Sequence, residues 1–219
     1  MFQPFDIDVF TASIGEKKEI LRFHRNQTIF SQGQPSFAIF LIDRGNVKLS
    51  ASSKQGKEAI LGVFGPGQFL GESCLTSDRP IHLHTATALT DVRVVKIGRH
   101  GIVKMLRRVS EPFYGFISSL LCRSLAIQAN FTDNLMESSE ARLGRALVSL
   151  ARLNEGSSPP YAKITQQDWA NMIGISRQRV NGLLQKFRNL GLIDDSVRLK
   201  VNKSILEHLS HYHYADHED

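Results

Sequence analysis

The chain has 219 residues, with 27 lysines and arginines against 21 acidic residues, and is 42% apolar and 22% charged. That length allows two modest domains, and the composition is ordinary for a soluble globular protein. There is no run of eighteen apolar residues, the first ten carry acids where a secretory leader carries positive charge, and the two cysteines, Cys74 and Cys122, form no C-x-x-C pair. A transmembrane helix, a signal peptide, a disulfide framework, a zinc module and a four-cysteine iron–sulfur cluster are therefore not expected, and the chain reads as cytosolic.

From about Glu19 to Lys96 short β-rich runs alternate with Gly and Pro punctuation. Phe37–Ile42, Val47–Ser50, Ala59–Phe64 and Asp91–Ile97 are the clearest strands, and Gln32–Pro35, Asp43–Asn46, Lys54–Lys57 and Gly65–Gly67 mark turns. Many short strands at this spacing predict a jelly roll or sandwich. Ser110 to about Met136 then reads as one long helix, with Pro112 suited to its first turn. On it Phe113, Ile117, Leu120, Ser124, Ile127, Phe131 and Asn134 alternate steps of four and three, which predicts a coiled-coil seam at Phe113, Ile117, Leu120, Ile127 and Phe131. The alternative is that the same stripe packs on its own domain. A second helix from Ser139 to Leu153 carries Leu143, Ala146, Leu147, Leu150 and Ala151 on one face, and 154–160 is a loop by composition.

Thr165 to Phe187 is the most informative stretch. Thr165 and Asp168 have capping-box spacing, and Trp169, Met172 and Ile173 form one buried face. Gly174 supplies a left-handed stop, and Ser176 caps a second helix whose inner face is Val180, Leu183, Leu184 and Phe187. Arg177, Gln178, Asn181, Gln185 and Arg188 are left outside, with no acid among them. This is the pattern of a helix-turn-helix whose second helix enters a DNA major groove by its N-terminal end; an ordinary helical hairpin with a solvated face is the plainer reading. Charge favours DNA. Residues 161–203 hold eight basic and three acidic residues, a surplus of five out of the whole chain's six. Gly191–Val201 offers two short strands around Asp194–Ser196, a β-wing, and the tail holds four of the eight histidines. A metal site in that tail competes with a plain solvated tail.

Taken together, Gly33-x11-Gly45-x-Val47, the Gly67-Gln-Phe-Leu-Gly-Glu72 turn, and Ile175-Ser-Arg-Gln-Arg-Val-Asn181 followed by Leu190-Gly-Leu-Ile193 resemble the CRP/FNR family of bacterial transcription regulators, and the resemblance covers nearly the whole chain. It implies an α+β protein in three parts. Residues 1–109 form a cyclic-nucleotide-binding-type β-jelly roll that senses an effector. Residues 110–137 form a dimerisation helix and hinge, and 138–219 a winged helix-turn-helix. It implies a homodimer on pseudo-palindromic double-stranded DNA, with RNA polymerase as a further partner and no membrane. Arg177, Gln178 and Asn181 then read bases, and Thr165, Ser176 and Arg179 hold phosphates. Gly182 stands where many members carry a second base-reading arginine. The expected half-site has a guanine opposite Arg177 and A/T-richer neighbours.

On the effector side the resemblance points to Gly71, Glu72, His82, Leu83, Ile127 and Gln128. Members that bind cyclic nucleotides place an Arg-Ser or Arg-Thr pair on the phosphate, where this chain has His82 and Leu83. A cyclic phosphate is a full negative charge suited to a bidentate Arg, whereas His is mostly neutral at pH 7. No cofactor is expected: the cassette reads as repurposed or empty, and the chain as a regulator whose effector is not cyclic AMP or is absent. The alternative is a regulator of the same fold responding to a cyclic nucleotide or to haem, the latter through Cys74, His82 and His84. An enzyme is not expected, because no nucleophile–base pair, metal-spaced cluster, or Walker or Rossmann glycine pattern occurs.

Overall fold

A computed structural model of the chain describes residues 10, 12, 18–77, 79–107, 111–154, 162–194 and 199–202. They divide between two units, Met1–Gln128 and Ala129–Asp219. The histidine-rich tail, the loop after Asn154 and the tip of the expected β-wing lie outside the described residues.

The first unit holds two four-stranded antiparallel sheets. One has the order β1 (Lys18–Phe23), β8 (Val92–Gly98), β3 (Ala38–Arg44), β6 (Phe69–Leu70), and the other β2 (Thr28–Phe30), β7 (Thr85–Ala88), β4 (Val47–Ser52), β5 (Glu58–Phe64). All four strands singled out from the sequence are present within two residues of their expected ends. β1, β2, β6 and β7 add the partners that their shorter or more polar runs concealed.

Strand β3 is apolar on both faces, and the period of two separates its side chains. Ala38, Phe40 and Ile42 turn inward and join Phe30, Val47, Leu49, Phe64, Ala86 and Ala88 of the facing sheet. Ile39 and Leu41 turn outward and join Phe69, Val95 and Ile97 under two helices, α1 (Arg99–Leu106) and α2 (Glu111–Met136). Ile102 and Met105 come from α1 and Phe116 from α2. Phe116 stands at 90° to Phe69, with ring centroids 4.9 Å apart, and Phe10 completes the cluster 5.0 Å from Phe69. Edge-to-face rings at such distances add to the area that they bury. The Asp43–Asn46 turn between β3 and β4 depends on Gly45: its φ is +88°, and a Cβ there would lie 2.3 Å from the carbonyl oxygen of Asp91.

Helix α2 divides the residues expected in the seam. Ile117 and Leu120 pack against the outer cluster of their own roll, beside Phe116, while Ile127 and Phe131 further along are exposed. The side chain of Phe113 lies outside the description. The exposed apolar side begins at Tyr114, continues through Leu121 and Leu125, and ends at Leu135 and Met136. A stripe at Leu121, Leu125, Gln128, Thr132 and Leu135 keeps the four-three step, displaced throughout by one residue from the sequence-based register. The physical reason is Phe116: the roll claims this side chain, and the residues flanking it on the same face turn inward with it.

In the second unit α3 (Ser139–Asn154), α4 (Gln166–Ile173) and α5 (Arg177–Asn189) pack on one another. Leu143, Leu147, Leu150, Trp169, Ile173, Val180, Leu184 and Phe187 are all buried. Strands β9 (Ile193–Asp194) and β10 (Lys200–Val201) pair antiparallel, Ile193 with Val201, and form the base of the wing.

Phe116→Ala removes a fully buried ring that touches two others, so the roll should lose about 3–5 kcal/mol. Urea denaturation followed by a signal from the N-terminal unit checks this.

Candidate nucleic-acid interface and sensor cassette

The helix-turn-helix forms as its local chemistry dictates. Thr165 accepts at Oγ1 from the Asp168 amide at 3.0 Å, and the Thr165 amide donates back to Asp168 Oδ2 at 3.2 Å, a complete capping box. Gly174 ends α4 with φ 71° and ψ 33°, and its amide reaches the Ala170 carbonyl at 2.9 Å. Ser176 opens α5 by accepting from the Arg179 amide at 3.2 Å. The three-residue turn thus has both of its ends fixed by bonds, which sets the start of α5.

Arg177 and Gln178 are exposed on the first turn of α5, and Asn181 is exposed one turn on. Gly182 beside it is open: nothing lies within 4 Å of where a Cβ would stand, so this part of the helix face presents backbone instead of a second arginine.

The three residues expected on phosphates divide. Ser176 accepts a bond at its oxygen, and its own hydroxyl proton takes no part in the cap. Thr165 does not: its hydroxyl donates to Asp168 Oδ2 at 2.7 Å, and its one proton is thereby committed to the cap. Arg179 is exposed, but its Nε donates to Ser139 Oγ at 3.0 Å, which ties it to the first turn of α3. Lys186 repeats this link, with Nζ 2.8 Å from Glu140. In the same stretch Glu137 pairs with Arg145, and Ser138 accepts from the Ala141 amide at 3.2 Å.

The sensor cassette lies in the first unit. Gly71 has φ 82°, and a Cβ there would meet the Ala38 carbonyl at 2.8 Å and the His82 ring at 3.5 Å, so glycine is required. The next residue, Glu72, is held by both terminal nitrogens of Arg123 on α2. Arg123 also donates to the Phe69 carbonyl at 2.6 Å and lies 5.1 Å over the Phe64 ring. Arg123 was not among the expected site residues. Its signal was present all the same: it is the only charged residue between Pro112 and Thr132, and a lone charge on an apolar helix demands a partner.

His82 lies beside Gly71, with its ring against Phe30 and Phe40. It is buried, stacked on Phe30 with ring centroids 3.9 Å apart and 13° between planes, and its Nδ1 has no hydrogen-bond partner. Burial pushes its imidazole below the usual value, opposed by the nearby Glu72 charge. Burial lowers His84 as well; Glu72 opposes this and Arg123 adds to it. Leu83, Ile127 and Gln128 are exposed. Cys74 is fully buried in the outer cluster, and burial raises its thiol to about 11, so it holds its proton. His82 belongs instead with Phe30 and Phe40 between the sheets. Among the described residues no group of three or more His, Cys, Asp or Glu is placed to hold a metal ion.

The family model of the cyclic nucleotide-binding domain matches residues 20–109, and that of the Crp-like helix-turn-helix domain matches 141–206. The chain belongs to the CRP/FNR family of bacterial transcription regulators. Like other members it is a DNA-binding regulator, and the family is one of regulators and not of enzymes. It is 27% identical over 201 residues to the CRP-like cAMP-activated global transcriptional regulator of Mycobacterium tuberculosis, covering 86% of this chain and 89% of that protein. It is 28% identical over 171 residues to the cyclic AMP receptor protein of Thermus thermophilus, covering 78% and 77%. Two solved structures share the fold: the c-di-GMP responsive global regulator CLP of Xanthomonas campestris (TM-score 0.71, 20% identity, 89% of this chain and 98% of that one) and FixK2 of Bradyrhizobium japonicum (TM-score 0.72, 15% identity, 89% and 98%). No helix among the described residues is long and apolar enough to cross a membrane.

His82 and His84 are both held neutral by burial. Below about pH 6.5 the unfolded chain takes up protons that the folded roll resists, so stability falls as pH drops from there toward the lowered folded values. Replacing His82 with Phe, which keeps a ring against Phe30, should reduce the fall in melting temperature between pH 7.5 and 5.5. Calorimetric scans at the two pH values check this.

Proposed function

We propose that two copies of this chain pair through the exposed apolar side of α2 and present the two α5 helices to successive major grooves of a pseudo-palindromic DNA site. The single observation that carries the reading is the first turn of α5, where Arg177 and Gln178 are exposed on a helix start fixed by Ser176 and the left-handed Gly174. Arg177 is suited to the O6 and N7 edge of guanine, and Gln178 to adenine. Ser176 serves a phosphate, while Thr165 and Arg179 act within the fold. RNA polymerase is the expected downstream partner.

The sensor, on this reading, does not use cyclic AMP or haem. A cyclic nucleotide needs a free acceptor for the ribose and a free cation for the phosphate. Glu72 and Arg123 are instead committed to each other, and His82 is turned into the core. The relatives named as a cAMP-activated regulator and as a cyclic AMP receptor protein favour the opposite reading, in which ligand separates the pair and takes both halves.

Selection from a randomised duplex pool, with no additive and with a salt titration on the selected site, tests the DNA reading. The expected outcome is salt-sensitive binding to a two-fold site, and Arg177→Ala should remove the guanine preference at one position per half-site, by about tenfold or more. An unchanged preference overturns the assignment. Calorimetric titration of the purified protein with cyclic AMP should give no saturable heat; micromolar binding would establish the cyclic-nucleotide reading instead.

A further inference from the structure

One polar contact on the reading face has no role in the cap or the core. Gln166, the first residue of α4, donates from Nε2 to Oδ1 of Asn181 on α5, at 3.0 Å. The two residues are fifteen positions apart and belong to the two different helices of the motif. Asn181 is exposed, and its neighbour Gly182 has no side chain to compete with it.

The chemistry of the amide decides what such a contact does. A free asparagine offers one acceptor and one donor side by side, which matches the N6 donor and N7 acceptor of adenine. Here the oxygen is already engaged, and the bond also fixes the orientation of the amide plane. What remains fully available is the Nδ2 group with its two protons. A group that turns its donors outward is matched by an edge that only accepts, and the major-groove edge with two such acceptors is the N7 and O6 pair of guanine.

We infer that Gln166 is a positioning residue for base recognition: it holds Asn181 by its oxygen, so that Asn181 acts as a hydrogen-bond donor and selects guanine over adenine at its base position. The inference rests on α5 being the reading helix. It concerns a pair that contributes little to folding, since both side chains lie on the solvent side of the motif. It also gives Asn181 a task different from that expected of an isolated asparagine.

The experiment is selection from randomised half-sites with the full-length protein and five variants, scored by relative base preference so that uniform losses of affinity cancel. Gln166→Ala frees Oδ1 and should move one position per half-site from guanine toward adenine, by about tenfold. Gln166→Glu is nearly the same shape but can only accept. It should take Asn181 by Nδ2, leave Oδ1 outward, and move the same position toward cytosine, whose N4 donates. Asn181→Ala should remove preference at that position, and adding Gln166→Ala to it should change nothing further. Arg177→Ala reports on the reading helix itself. A shifted guanine preference in Arg177→Ala, with both Gln166 variants selecting as wild type, overturns the inference alone. An unchanged selection in all variants overturns it together with the assignment of α5. A change common to Gln166→Ala and Gln166→Glu, in place of opposite ones, overturns the donor argument and leaves only a structural role; melting temperatures close to wild type verify that folding is intact.

Discussion

Sheet β1-β8-β3-β6 is apolar on both faces, and much of the first unit follows from that. A sheet with one buried face would be satisfied by its partner sheet alone. Here Ile39 and Leu41 face away from the partner and must be covered. Helix α1 and the first half of α2 supply the cover, with Phe116 as the main contact. Once Phe116 is drawn in, the rotation of α2 is fixed, and so is the side left exposed. Leu121 and Leu125 are outward because Phe116, Ile117 and Leu120 are inward.

The same rotation places Arg123 over the cassette. From Phe116 to Leu120 to Arg123 is one face of the helix, and Arg123 is the point where that face changes from apolar contact to charge. Its guanidinium has a carboxylate, a carbonyl and an aromatic ring as neighbours, which is ample compensation for a half-buried cation. Glu72 gains equally. A glutamate beside a left-handed glycine on a short turn would otherwise stand near two histidines that burial keeps neutral. The pair thus joins the roll to the long helix through charge, where the outer cluster joins them through apolar area.

How much of this was legible depended on whether the determinants were local. The helix-turn-helix was readable almost residue by residue, because a cap, a left-handed glycine and a 3.6-residue period act within one turn of the chain. The strongest strands were readable for the same reason. The division of α2 between packed and exposed sides was not, since periodicity gives the apolar stripe of a helix but not which neighbour claims each part of it. Ile117 and Leu120 fit a partner helix and a β-roll equally well by spacing. His82 was placed by resemblance at a ligand, and the stack on Phe30 that buries it joins residues fifty-two positions apart. Thr165 was assigned to phosphate by position, yet its proton is taken by an aspartate that the capping box itself brings into reach. Gln166 carried no signal, because its contact is a product of the angle between two helices.

The bonds at the start of α3 bear on how any message could reach DNA. Glu137, Ser138, Ser139 and Glu140 follow one another at the break between α2 and α3, and each is fastened within the second unit: two to α3 itself, and two to Arg179 and Lys186 of the reading helix. Arg179 and Lys186 stand seven residues apart, about two turns along α5. Two such points, unlike one, fix the direction of α5 against the start of α3 and not only its position. The two helices therefore turn as one head, and the loss of either bond would leave the other as a pivot.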